Sequence, residues 1–363
     1  VRVGTENRQH VLGHISLLGY RGSIIAPMTT GGPDESAIGD PIDVLLTEWA
    51  RQCKKQGGLV VLPHFPNPRA EHAASIISGE IDAIEMTAWG FLYGGIDPYS
   101  LSDWYRYLNC GFELAATAGT DKMTRYVTVG ANRVFGRVEG EFNYQNWIEA
   151  LQQGRTFISN SPLLSFSVNG AEPGARLSLS SSQDKVVRIA AKAVSQLPYH
   201  RLELVCNGRV IADASPSGSD YTAEINLEHP LEGSSWFAAR ALEEMGPYRS
   251  MGIDFTTVHI DRGTLLSNYY GTRRPETVFA HTSPVYVMLD GDPIRSWDDA
   301  SYYVRYMDQS IDWLTKEGKF AHPSDKQETL EAFRKGRAIY ERRAQEARRF
   351  EAGRVSYSRN PPA

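Results

Sequence analysis

Cysteine is scarce in this chain. Three occur in 363 residues, Cys53, Cys110 and Cys206, far apart and never in a CxxC pair. That spacing suggests neither a disulfide framework nor a thiolate zinc site, and three thiols do not fix a redox compartment. Long apolar runs are missing too. None approaches the roughly 18 uninterrupted residues of a membrane-spanning helix, so no membrane span is expected. No signal-peptide pattern heads the sequence. The chain opens on Val1 without an initiator Met, inside a strand-like run, and reads as truncated or processed there. Positive charge is not in excess: 38 Lys and Arg face 43 Asp and Glu, a formal net charge of −5. A phosphate backbone selects a basic face, so nucleic acid is not an expected partner. A serine-nucleophile elbow of the GxSxG type is absent. The glycine-rich run TTGGPDESAIGDP lacks the GxxxxGK(S/T) order that cradles phosphates and reads as a loop over a site mouth.

What remains is a composition with 41% hydrophobic and 22% charged residues, that of a soluble globular protein. It is long enough for two or more compact units, each with a core. From Ile15 to about Ile158, apolar strand-like runs alternate with helical patterns, the rhythm of an α/β domain with a largely parallel sheet. Asp40 and Pro41 give an N-cap and first-turn signal for a helix over IDVLLTEWARQCKKQ, which Gly57 and Gly58 stop. The strand GGLVVLPH follows, then a short helix in AEHAASIIS, the strand IDAIEM, a helix around LSDWYRYLNCG and the strand ELAATAG. After a helix over about Tyr144–Gln153 the runs shorten and alternate, with Gly, Ser, Pro and Asn between them, as in a small β-sandwich. Asn207-Gly208 between two such runs predicts a type I′ hairpin. Helical patterns return in ASYYVRYMDQSIDWLTKEG and in a charged helix from about Asp325 to Glu351, whose Arg and Glu at i, i+4 spacing form a solvated face.

Four residues stand where predicted strands run out into turns: Glu6, His14, His64 and Asp121. Side chains at strand ends can converge from separate strands, and in open sheets and barrels functional groups collect at the carboxyl ends. His64 closes the buried run LVVLPH, and an imidazole there needs a partner. Asp121, in AGTDKM, closes another buried strand, where an unpaired carboxylate would cost several kcal/mol. Imidazole and carboxylate together suit a transition ion, zinc, manganese or iron, rather than magnesium or calcium. The aromatic residues Trp89, Phe91, Tyr93 and Tyr99 follow the IDAIEM strand and could line an apolar substrate pocket. Arg125 and Tyr126 could bind an anionic group.

The segments GTEN, GHISLLG, GGLVVLPHFPNP, AGTDKM, VGANRVFG and GRTFISNSPLLSFSVNGAEPG closely resemble the polymerase and histidinol phosphatase (PHP) superfamily of metallohydrolases, in its carbaryl-hydrolase-like (CehA/McbA) branch. The resemblance covers the first 175 or so residues and runs more loosely to about residue 345 through NGRVI, WFAARA and AHTSPVYVMLDGDPI. It implies an α/β fold: a distorted seven-stranded (β/α) barrel, incomplete at its start, over 1–160, a β-sandwich over 161–262, a segment with helices packing on the barrel over 263–352, and a disordered tail over 353–363. It also implies metals at the carboxyl ends of the barrel strands, with Glu6 as a bridging carboxylate and His14, His64 and Asp121 as further ligands. Two departures stand out. The family's opening HxH strand has no counterpart before Glu6, which implies that part of the site lies outside this sequence. A histidine usual two residues after the last aspartate is replaced, because Lys122 and Met123 follow Asp121, and methionine is a poor ligand for zinc or manganese. His10, His72 or Lys122 could compensate, and Lys122 could instead stabilise a developing oxyanion.

These observations lead to an expected metal-dependent hydrolase with two or more divalent ions, whose metal-bound hydroxide attacks an ester, carbamate or amide bond of a small molecule. Glu6, His64, Asp121 and Lys122 would carry the chemistry. A PHP-type phosphoesterase is the nearest alternative. A decayed barrel that binds or scaffolds, with the sandwich recognising a polymer such as a glycan, is another. An unpaired sheet edge at the opening strands would favour pairing between copies.

Overall fold

The computed structural model describes residues 4–9, 11–30, 41–65, 70–87, 98–121, 129–182, 185–242 and 278–359. They form a mixed α/β structure of several sheets and six helices. Strands β1 (Thr5–Gln9), β2 (Gly13–Leu18), β3 (Thr29–Thr30), β4 (Leu59–Leu62), β5 (Ala83–Glu85) and β6 (Ala115–Thr117) make a six-stranded sheet in the order β3-β1-β2-β4-β5-β6. The strands β4, β5 and β6 run parallel, while β2 is antiparallel to both β1 and β4. Helices α1 (Leu46–Lys55), α2 (His72–Ile76) and α3 (Pro98–Asn109) lie in the connections.

The start of α1 differs from the sequence expectation. Its first helical residue is Leu46, not the residue after Asp40, and its N-cap Leu45 offers no capping side chain. The end is capped from elsewhere in the chain. The buried carboxylate of Glu71 accepts from the amides of Leu46 and Thr47 at 2.6 and 3.0 Å and from the Thr47 hydroxyl at 2.8 Å. Orphan N–H groups at a helix start attract such an anion wherever the fold brings one, and no local sequence signal reports it.

One face of this sheet, with Ile15, Leu17, Val60, Leu62, Ile84 and Ala116, belongs to the main core under the helices. That core includes Trp49 on α1 and Trp104 on α3, both fully buried. Two C-terminal helices close it: α5 (Trp297–Lys316) and α6 (Pro323–Arg359). Tyr107, Tyr303 and Tyr340 stack through this layer, and the hydroxyls of Tyr303 and Tyr340 donate to the carbonyls of Asp103 and Ala73. Their polar ends are thus satisfied inside an apolar layer. The helix α6 runs on to Arg359, past residue 352 where the sequence suggests a tail; 360–363 lie outside the described residues.

The opposite face carries a smaller cluster: Leu59, Val61, Ala83 and Ala115 pack on Ile148 and Leu151 of α4 (Tyr144–Gln152). Beside it stand β7 (Arg133–Gly136) and β8 (Thr156–Ser159), which pair with each other and belong to a second sheet. That sheet also holds β10 (Arg176–Leu179), β12 (Arg201–Cys206), β13 (Arg209–Ala214), β15 (Ser235–Leu242), β16 (Phe279–Thr282) and β17 (Val285–Leu289). A third sheet of β9 (Leu163–Val168), β11 (Val186–Val194) and β14 (Ala223–Pro230) packs against it through a separate apolar core that includes Phe166, Ile189, Phe237 and Val287. The two layers draw strands from both sides of the 161–262 segment. The expected hairpin is present: Asn207 and Gly208 join β12 to β13 with φ of +47° and +80°, the paired left-handed residues of a type I′ turn.

No closed barrel forms among the described residues, so the seven-stranded barrel is not shown. After β6 the backbone ladder stops. The next strand of such a barrel would pair with Ala116, but side chains of the second sheet occupy that position. The Ala116 amide donates to the Ser283 hydroxyl at 2.8 Å, and its carbonyl accepts from the Thr156 hydroxyl at 2.9 Å. The two hydroxyls lie 2.7 Å apart, so both backbone groups of Ala116 are satisfied without a neighbouring strand. Replacing Ser283 by Ala orphans the buried Ala116 amide and should lower stability by about 1–3 kcal/mol, read as a drop in the urea midpoint.

A second buried link joins α3 to the second sheet. The His281 Nδ1–H donates to the Thr282 carbonyl at 2.7 Å, and its Nε2 accepts from the Tyr105 hydroxyl at 2.5 Å. Burial pushes the imidazole down to about 3, the Thr282 bond opposes that shift, and the nearby Arg240 guanidinium adds to it. On acidification the unfolded chain therefore takes up this proton first, near its ordinary value of about 6.5. The stability it contributes is complete above that value and is lost progressively as pH falls towards 3. His281→Gln, which keeps an acceptor for Tyr105, should flatten the fall of the denaturation midpoint between pH 6.5 and pH 4.

Candidate metal centre

Strand parity assembles one side of the site. On β1 and β2, Asn7, Gln9, Ile15 and Leu17 are buried, while Glu6, Arg8, His14 and Ser16 alternate with them on the half-buried face. The register pairs Glu6 with Ser16 and Arg8 with His14, so Glu6 and His14 are diagonal neighbours on that face. Ser16 pairs in turn with Val61 of β4, which pairs with Ala83 of β5, so Glu85 lies on this face as well. Because β2 runs against β4, its first residues meet the carboxyl ends of the parallel strands.

His64 reaches the same face by a turn. Had β4 continued extended, position 64 would have shared the core face of Val60 and Leu62. The chain instead turns over residues 63–65, and His64 takes a left-handed backbone with φ of +31°. Asp121, beyond the end of β6, is left-handed too, with φ of +39°. Such conformations in non-glycine residues cost on the order of 1–3 kcal/mol and concentrate at functional sites.

Three donor atoms meet. His14 Nδ1 lies 3.1 Å from His64 Nε2 and 3.2 Å from Glu6 Oε1, and His64 Nε2 lies 3.4 Å from the same oxygen. Donors bound to one ion at about 2.1 Å would sit about 3.0 Å apart at right angles and about 3.4 Å apart at the tetrahedral angle. All three separations fall in that range. Glu6, His14 and His64 could therefore hold a metal ion. The two rings meet edge to face, with centroids 4.9 Å apart. Three protein ligands would leave coordination positions open for water or another ligand.

The electrostatics fit ligands that compete for a proton. Burial raises the Glu6 carboxyl, but hydrogen bonds from His14 and His64 and the charges of His64 and Arg8 outweigh it and hold the group well below the usual carboxylate range. Burial lowers His14, the Glu6 bond raises it, and the adjacent His64 charge lowers it again, for a value of about 4. Burial lowers His64 as well, but there the Glu6 hydrogen bond and the charges of Glu6, Glu85 and Asp121 win and the value rises. An ionised Glu6 and a neutral His14 are the protonation states that bind a cation.

Asp121 lies near enough for its charge to act on both His64 and Glu85, but it is not one of the three converging donors. His72 is buried on α2, stacked on Phe65 at 5.0 Å, and is not in the group either. Lys122, Met123, Arg125, Tyr126, His10, Trp89, Phe91 and Tyr93 fall outside the described residues, as does the side chain of Tyr99. Two residues at the site go unnamed by sequence reasoning. Glu85 ends β5 and accepts from the His64 amide at 2.5 Å. Arg8 donates from Nε to Glu6 Oε1 at 3.1 Å. For Glu85 a signal existed, since it is the carboxylate closing the apolar strand IDAIE, the same pattern that marks His64 and Asp121.

No family model, no curated protein and no solved structure matches this chain. The geometry therefore stands by itself. Glu6→Gln and His14→Ala should each weaken zinc binding at least as much as the roughly 10- to 100-fold typical of disturbed ligand support, measured by competition with a chromophoric chelator. Unchanged affinity in both would remove the site.

Proposed function

We propose that the protein is a metal-dependent hydrolase of small molecules, acting on an ester, carbamate or amide bond. The convergence of Glu6, His14 and His64 within 3.1–3.4 Å of one another carries this reading. The donor set of two imidazoles and a carboxylate suits zinc, manganese or iron. A divalent ion there would lower the pKa of a bound water towards neutrality and polarise the scissile oxygen.

The chain's own residues supply the rest. Glu6 contributes the anionic ligand, held ionised by the imidazoles around it. His64, with a side chain 4% exposed, anchors the ion from the interior, and the more open Glu6, 27% exposed, marks the side from which substrate enters. Asp121 lies near enough for its charge to act on His64 and Glu85, and in this reading Asp121 helps hold a second ion. The parallel strands β4 to β6, with ligands at their carboxyl ends, are consistent with part of a PHP-type barrel, and the two sheets of the second unit with its sandwich. One observation favours the phosphoesterase alternative. The Arg8 guanidinium beside Glu6 is a cation where an anionic substrate group would lie.

Turnover should be measured on zinc- and manganese-loaded protein with matched nitrophenyl carboxylic esters, carbamates and phosphoesters. His64→Ala should abolish it on whichever is cleaved, with no loss of fold by circular dichroism. Full activity in that variant would sink the mechanism. Cleavage confined to phosphoesters would select the alternative.

A further inference from the structure

We propose that Glu85 is the positioning residue of this centre: its carboxylate, seated in the space that Gly119 leaves open, holds the His64 backbone in the turn that aims the imidazole at the ion. The proposal rests on the metal reading above and adds the part that makes His64 a ligand.

The need arises at His64. Its backbone is left-handed, a state an L-residue with a Cβ resists, and its neighbours must enforce it. Its amide lies beyond the ladder of β4, which ends at Leu62. The residue is buried, so that amide must find an acceptor inside the protein. Glu85 Oε2 provides it at 2.5 Å, a short hydrogen bond. Glu85 is well placed to do so, as the last residue of β5, the neighbour of β4 on the side away from β2.

The other carboxylate oxygen shows why the arrangement needs glycine at 119. A Cβ built on Gly119 would lie 2.4 Å from Glu85 Oε1, closer than such atoms approach. Gly119 has no left-handed φ, so the requirement there is for space and not for backbone freedom. The backbone at 119 cannot back away either. Its carbonyl accepts from the Thr87 hydroxyl at 2.9 Å, and the Met86 amide donates to the Thr117 carbonyl at 2.8 Å, which ties the ends of β5 and β6 together. Glu85 itself is not among the three converging donors. Its contact with the centre runs through the amide of a ligand, the kind of outer support that fixes ligand orientation.

The test measures zinc and manganese affinity of the full chain by chelator competition, alongside the His64 amide proton shift in the metal-free protein. Glu85→Gln keeps an acceptor oxygen and should retain near-native affinity. Glu85→Ala and Gly119→Ala should each bind about 10- to 100-fold more weakly. The double variant should be no weaker than the worse single one, because both changes remove the same contact. The His64 amide proton should move upfield in Glu85→Ala and not in Glu85→Gln. Should Glu85→Ala fail to fold, Glu85→Asp, one methylene short of the amide, takes its place with the same expected loss. If Glu85→Gln falls as far as Glu85→Ala, Glu85 is a ligand and the positioning role is wrong. Native affinity in Gly119→Ala would overturn it too. If the native protein binds neither ion, the metal reading fails, while the amide shift still decides whether the contact to Glu85 exists.

Discussion

Glu6 Oε1, His14 Nδ1 and His64 Nε2 lie within 3.1–3.4 Å of one another, and three electron-rich atoms so close together need positive charge among them. In the protein by itself that role falls to protons: His64 is pushed towards its charged form while His14 stays neutral. A divalent cation is a stronger answer to the same constraint. The surrounding structure reads as what is needed to keep three such groups together: a β1–β2 hairpin in fixed register, a left-handed turn after β4, and a buried carboxylate behind that turn.

The site lies on the less heavily packed face of its sheet. One face is committed to a large core under α1, α3, α5 and α6, which immobilises the strands. The other carries only a small apolar cluster against α4, and beyond it the half-buried positions of β1 and β2 are free to hold polar groups. Rigidity on one side and openness on the other are what a preorganised ligand set requires. The second unit is fastened to this sheet by apolar packing, with Trp236, Phe279, Tyr286 and Met288 inside the main core, and by buried polar links, not by a continued ladder. Thr156 and Ser283 satisfy Ala116, and Tyr105 and His281 meet beneath the second sheet. Each link is buried, so each is costly to break, and together they hold the two cores in one arrangement.

Much of this was legible in the chain. The buried run before His64 and the glycine stop after α1 report local pattern, which sequence records directly. Asn207-Gly208 declared its hairpin because only two left-handed residues close a two-residue turn with the right twist. The start of α1 departs from the local signal at Asp40 and Pro41, because its cap is Glu71, contributed from a later segment. The closed barrel expected from resemblance does not appear among the described residues, because side-chain hydroxyls, invisible to any hydrophobic pattern, take the place of the next strand at Ala116.

By itself, then, the sequence determined which residues could be ligands: imidazoles and carboxylates at the ends of apolar runs, where burial demands a partner. It also set the shared face of Glu6 and His14, since the pleat has a period of two. Tertiary structure alone decided which of them meet. The antiparallel register of β1 on β2, the turn that carries His64 across the sheet, and the glycine-sized gap that admits Glu85 are relations between distant segments, and distances between distant segments are set by packing rather than by local preference.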